Sequence, residues 1–259
     1  MCLAIVALDT HPRYALVVAA NRDEYHMRPT EVAHWWHDEG VGDPILAGRD
    51  LEAGGTWLGV SRAGRWGFVT NVRQGGQRDP HAPSRGLLVP RVLRDQRDVH
   101  TALVAVIANA SQYNGFNLMA GDITTASWGS NRGERSACLG KGVHGLSNAA
   151  LDTPWPKLVR TKSGVAAWAA AGREDVDALF ALLTDRNRAR DDELPNTGVS
   201  LEWERVLSAP FITGENYGTR SSTVLTISRD GQARLVEQSF DAGGEPTARV
   251  DLTFSVRKP

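Results

Sequence analysis

Two apolar runs near the start of the chain, Cys2-Leu-Ala-Ile-Val-Ala-Leu8 and Tyr14-Ala-Leu-Val-Val-Ala-Ala-Asn21, decide the fold. Both are continuous rather than alternating and rich in branched side chains, and the turn-like Asp9-Thr-His-Pro-Arg13 separates them. Such runs predict two adjacent central strands covered on both faces. Working outward, Trp57–Ser61 and Trp66–Val72 flank Arg62-Ala-Gly64-Arg65 as a hairpin. Apolar residues at three- and four-residue spacing then predict two helices, one from near Ser84 through Leu93 and one from near Asp98 through Ile107. Phe116–Ala120, Ala126–Ser130 and Val143–Leu146 read as strands. After Pro154 the helical spacing returns through Leu158, Val165, Trp168, Leu179 and Leu183, and a short helix is expected at Glu202–Leu207. The hairpin Thr223–Ser228/Arg234–Phe240 and a strand at Val250–Val256 close the chain. Strands pairing around a buried N-terminal strand, with helices in two blocks, imply an α+β arrangement of sheets with helices packed outside.

The chain has 259 residues, 41% of them hydrophobic and 23% charged, enough for one substantial core and expected to form a single domain over 1–259. Lys and Arg total 29 against 30 Asp and Glu, a net charge of -1. The basic residues are scattered, which argues against a nucleic-acid or anionic-lipid partner. No run approaches the ~20 apolar residues of a membrane span. No basic residue precedes the apolar opening and no small-residue cleavage site follows it, so a cytoplasmic protein is expected. The two cysteines, Cys2 and Cys138, form no metal-binding motif.

Five blocks carry a family resemblance: Asn21-Arg-Asp-Glu24; Leu46-Ala-Gly-Arg-Asp50 with Gly54-Gly-Thr-Trp-Leu-Gly59; Gly67-Phe-Val-Thr-Asn71; Gly145-Leu-Ser-Asn148; and Tyr217-Gly-Thr-Arg-Ser-Ser-Thr223. In this order they resemble the NRDE family, also named for transport and Golgi organisation protein 2. That family in turn resembles the N-terminal-nucleophile hydrolases of the choloylglycine hydrolase, penicillin V acylase and acid ceramidase branch. The resemblance implies a four-layer αββα sandwich of two antiparallel sheets and cleavage of a linear amide by an N-terminal cysteine. Carried onto this sequence, it implies Cys2 as nucleophile, Asp23 at the end of the second strand, Asn71 near the oxyanion, Asn148 as the second site asparagine and Arg220 as the late arginine. Those enzymes also carry an arginine three residues before the aspartate, where this chain has Ala20.

The chemistry of these residue types is coherent. Removal of Met1 would make Cys2 the N-terminus, joining a thiol nucleophile and an α-amine base in one residue. With ordinary pKa values of about 8 for the amine and 8.5 for the thiol, the two exchange a proton near neutrality. Asp23 would hold the ammonium, Arg220 would favour the thiolate, and an asparagine side chain can donate to an oxyanion. Each residue also has a structural reading: Cys2 as a small core residue, Asp23 in an ion network with Arg22 and Glu24, Asn71 and Asn148 as turn residues, Arg220 paired with Glu215. Strand alternation turns Arg22 away from the side of Asp23 and gives it a structural role.

Two function classes follow. The first is a cysteine amidohydrolase acting on a linear C–N amide or an acyl thioester. The second is a non-catalytic carrier of haem or of a lipid or acyl-CoA ligand, a role that the family resemblance also implies. Neither requires a resident cofactor, and both take a small molecule with an apolar part. Trp35, Trp36, Trp57 and Trp66 would furnish an aromatic wall. His34-Trp-Trp-His37 could offer imidazole to haem iron, but it reads first as a partly exposed aromatic surface segment, because a closed metal site needs more ligands than are grouped there.

Overall fold

In the computed structural model, which describes residues 3–37, 42–75, 79–133 and 136–257, the two opening runs are the centre of a sheet. Along the chain the strands are β1 (Leu3–Leu8), β2 (Tyr14–Tyr25), β3 (Thr30–Trp36), β4 (Ile45–Asp50), β5 (Leu58–Ser61), β6 (Trp66–Asn71), β7 (Phe116–Gly121), β8 (Ala126–Ser130), β9 (Ser136–Leu139), β10 (Gly142–Leu146), β11 (Tyr217–Ser228), β12 (Gln232–Phe240) and β13 (Pro246–Ser255). The α-helices are α1 (Leu88–Arg94), α2 (Val99–Ala108), α3 (Pro156–Ala170), α4 (Val176–Leu183) and α5 (Leu201–Leu207). One antiparallel sheet runs β10-β1-β2-β11-β12-β13, and the other takes β3 to β9 in chain order.

Alternation along the central strands assigns their two faces. Ala4, Val6, Leu16, Val18 and Ala20 point between the sheets and meet Leu46, Val60, Phe68, Met119 and Trp128. Leu3, Ile5, Ala7, Val17 and Ala19 point the other way, onto Leu158 and Val165 of α3 and Leu179 and Leu183 of α4. The outer face of the second sheet, with Val69 and Leu118, is covered by Val89 and Val92 of α1 and Leu103 and Ile107 of α2. The result is the αββα sandwich expected from the sequence. Between the sheets, the buried Glu237 of β12 accepts from Ala33 N of β3 at 2.8 Å and from Thr223 Oγ1 of β11 at 3.3 Å. Burial pushes this carboxyl up to about 7.

Three strands were not anticipated: β3, β4 and β9. The segment His34-Trp-Trp-His37 is partly exposed, as expected, with His37 exposed and His34 and Trp35 half-buried, but its first three residues end β3 and Trp36 is buried, donating Nε1 to Ala47 O at 3.0 Å. Trp35 packs edge-on against Phe254. β2 and β11 also run further than their apolar cores, pairing from Tyr14 opposite Ser228 to Tyr25 opposite Tyr217. Among the described residues no helix is long and apolar enough to cross a membrane.

Candidate active site

The polar end of β2 brings chemistry to the edge of the sandwich. Asn21, fully buried, donates Nδ2 to Leu183 O at 2.7 Å and Pro210 O at 2.9 Å and accepts from Ser222 Oγ at 2.6 Å. Its three bonds tie the strand to the end of α4 and the approach to β11, so Asn21 is a structural residue. Arg22 shares the inter-sheet face of Ala20, lies 4% exposed, and stacks its guanidinium 4.3 Å above Trp57. Burial pushes its pKa down, and Nη1 has no hydrogen-bond partner among the described residues. Asp23, 2% exposed, accepts from Thr219 Oγ1 at 2.6 Å through Oδ1, and its Oδ2 has no partner among the described residues.

A β-bulge lies opposite this pair. Thr219 faces Asp23 and Ser221 faces Arg22, so Arg220 is the extra residue. Its Nη1 donates to the carbonyls of Tyr25 at 2.8 Å and Arg28 at 3.1 Å, fastening the turn that follows β2. Arg220 is not among the residues that line the cavity described next, and among the described residues it forms no ion pair with Glu215.

A cavity of about 660 Å³ opens at this end, with Arg22, Asp23, Trp57, Asn71, Asn148 and Trp203 in its wall. That size suits a small organic molecule. The structure thus brings Asp23, Asn71 and Asn148 together and leaves Arg220 outside. Cys2 lies outside the described residues; it is bonded to Leu3, whose partner in β2 is Asn21, the residue before Arg22. Arg22 lines the same cavity as Asp23, against the expectation of a purely structural side chain. Of the four tryptophans proposed for the wall only Trp57 reaches it, since Trp35, Trp36 and Trp66 pack elsewhere. Trp203 of α5 was not foreseen. His34 and His37 are not in the wall, and His34 instead pairs with Val32 O and Glu31.

The wall is mixed in charge. Four arginines, Arg22, Arg28, Arg73 and Arg85, face five carboxylates, Asp23, Glu24, Asp50, Glu52 and Asp79. Arg28 is held by Asp50 and Glu52 at 2.8 and 3.1 Å. Gln74, Asp79, Pro80, Ala82, Pro83, Ser84 and Val199 also border the cavity. Gly55 permits one close approach there, because a Cβ on it would lie 2.4 Å from the carbonyl carbon of Gly86.

The asparagines are linked to one another. Asn148 donates Nδ2 to Asn71 O at 3.0 Å, while its Oδ1 accepts from Arg73 Nη2 at 3.2 Å. Arg73 N donates to Asn148 O at 2.8 Å, and Arg73 Nη1 donates to the buried Glu204 of α5 at 2.8 Å. The other Glu204 oxygen accepts from Thr197 N at 2.9 Å and Oγ1 at 2.5 Å. Arg73 and Glu204 are 131 residues apart and carry no local signal. Among the described residues no group of three His, Cys, Asp or Glu side chains could hold a metal ion.

The family model described as Transport and Golgi organisation 2 matches residues 1–242. The chain belongs to this family. The family's homolog from Bos taurus is 35% identical over 278 residues, covering 99% of each chain, and the Homo sapiens homolog is 35% identical over 261 residues, covering 93% of each. Among solved structures, a Caenorhabditis elegans ortholog of N-acylethanolamine-hydrolyzing acid amidase superposes with a TM-score of 0.51 at 15% identity over 86% of this chain and 92% of its own. A mutant of the conjugated bile acid hydrolase from Clostridium perfringens gives 0.51 at 10% identity over 100% and 98%. The Transport and Golgi organisation 2 chain therefore has the N-terminal-nucleophile-hydrolase fold.

Proposed function

We propose that this chain is an N-terminal-cysteine amidohydrolase, with Cys2 as nucleophile, acting on a linear C–N amide of a small acyl compound through a thioester. The observation that carries the reading is the pair of buried atoms on consecutive residues of the cavity wall, Arg22 Nη1 and Asp23 Oδ2, that have no hydrogen-bond partner among the described residues. Leaving such groups unpaired is costly. A cation-bearing donor beside an anionic acceptor is complementary to an anion joined to an ammonium. A residue with a thiolate and a free α-amine carries both, and Cys2 adjoins the strand that pairs with this segment.

In this reading the α-amine takes the thiol proton and the sulfur attacks the amide carbonyl carbon. Side-chain N–H groups of Asn71 and Asn148 receive the oxyanion. Collapse breaks the C–N bond, and the ammonium returns its proton to the departing amine. Water, deprotonated by the freed α-amine, then hydrolyses the thioester and regenerates the thiol. Asp23 holds the ammonium and Arg22 favours the thiolate, in place of the Arg220 expected from the sequence. The names of the two structural neighbours, an amidase and a hydrolase of conjugated bile acids, agree with a substrate of the acyl-amide class. Acyl thioesters are the second class to assay.

Mass spectrometry of the purified protein is expected to find Cys2 at the N-terminus. Turnover of N-acyl amino acids or acyl-CoA thioesters is expected to vanish in Cys2→Ala. Retention of Met1 would overturn the mechanism, since the α-amine would then be an amide. Unchanged turnover in Cys2→Ala would also overturn it and leave the family's carrier role.

A further inference from the structure

We infer that Arg73 and Glu204 are positioning residues that fix the donor face of Asn148 toward the reacting carbonyl; the inference rests on the amidohydrolase reading above. An asparagine amide presents N–H₂ or C=O to a cavity according to which way it is turned, and only one orientation stabilises an oxyanion. Here the choice is set on both sides. Oδ1 receives Arg73 Nη2 at 3.2 Å and Nδ2 reaches Asn71 O at 3.0 Å. A half-turn of the amide would set its oxygen against the Asn71 carbonyl and its N–H₂ against the guanidinium donors. One Nδ2 hydrogen is spent on Asn71 O, and the other is the donor left for the cavity that Asn148 lines.

Arg73 is itself over-determined. Glu204 holds one end of its fork at 2.8 Å, Trp155 lies 4.9 Å beneath the guanidinium, and its backbone N–H binds Asn148 O. Glu204 is 3% exposed and anchored through its second oxygen to Thr197. The buried ion pair therefore joins α5, the segment before it and the loops after β6 and β10 at one side chain. Breaking such a pair leaves an uncompensated buried charge. Its use here is geometric: it makes the orientation of Asn148 depend on the docking of α5, the helix that also brings Trp203 to the cavity wall.

The test compares two reactions of Cys2 in a Cys138→Ser background. First-turnover release of 4-nitrophenolate from 4-nitrophenyl acetate passes through an oxyanion. Alkylation by iodoacetamide does not. Removing an oxyanion donor lowers a rate by about 10²–10³. Arg73→Met is expected to lower the acylation-to-alkylation ratio by about ten- to a hundredfold toward that limit, with alkylation itself nearly unchanged. Glu204→Gln, which keeps shape, is expected to lower the ratio in the same direction by less, and it carries the test if Arg73→Met does not fold. An unchanged ratio in both folded variants, beside a fall in Asn148→Ala, overturns this inference and leaves the amidohydrolase reading standing. Acylation that survives Cys2→Ala overturns both.

Discussion

Glu237 should make the protein lose stability as the solution becomes more alkaline, in a window where most carboxylates do nothing. Burial between the sheets raises this carboxyl from an ordinary 4.5 to about 7. Below pH 4.5 both the folded and the unfolded chain hold the proton. Between 4.5 and 7 the folded chain still holds it and the unfolded chain has released it, so stability falls with rising pH until the folded group ionises. At 1.36 kcal/mol per unit, going from pH 5 to pH 8 removes roughly 2–3 kcal/mol. Glu237→Gln keeps an acceptor for Ala33 N and cannot titrate. Urea unfolding of both proteins at several pH values isolates the effect: the stability of wild type relative to the variant should fall by roughly 2–3 kcal/mol across the window. A flat difference, or one that rises with pH, would refute the assignment of a buried carboxyl that stays protonated near neutrality.

Asn21→Ala strips Leu183 O and Pro210 O of their donor and should cost about 2–4 kcal/mol in urea unfolding; a loss under about 1 kcal/mol would contradict its structural role. Arg220→Ala should cost about 1–2 kcal/mol through the turn after β2 and leave the pH profile of Cys2 alkylation unmoved, whereas a shifted profile would return Arg220 to the site. Arg22→Met should raise the pH midpoint of Cys2 alkylation by about 1–3 units, the usual influence of a close opposite charge; an unmoved midpoint removes Arg22 from the mechanism. Gly55→Ala drives a methyl into the Gly86 backbone and should cost about 1–3 kcal/mol, read as a lower melting temperature; an unaltered one would show that the two loops separate freely.

The parts of the fold that were legible in the sequence are those where burial selects for one residue type. β1 and the first half of β2 are covered on both faces and read as unbroken apolar runs, and α3 and α4 show helical spacing because one face of each packs on the sheet. The second half of β2 is different. Asn21, Arg22 and Asp23 are as buried as the residues before them, yet polar, because Asn21 and Asp23 bond to partners from across the chain and Arg22 stacks on Trp57. β3 hid for a related reason: its aromatic and imidazole side chains divide between core and rim, so no single period dominates. In the candidate site, ordered motifs brought Asp23, Asn71 and Asn148 to notice. Arg73 and Glu204 escaped because a pair formed between distant loops leaves no trace in local spacing. Arg22 was set aside by alternation relative to Asp23, although alternation relative to Ala20 leads to the inter-sheet face it occupies.

That last relation bears on how relatives of this chain are compared. A strand repeats its facing every two residues, so a side chain can move two positions along it and still look into the same space. Matched column by column to the arginine that the family resemblance implies three residues before the aspartate, position 20 holds alanine and reads as a lost cation. By face, Arg22 lies one strand repeat further along the same side of β2 as Ala20, stacked on Trp57. An alanine at the first of these positions is therefore not by itself the loss of a positive charge from that face.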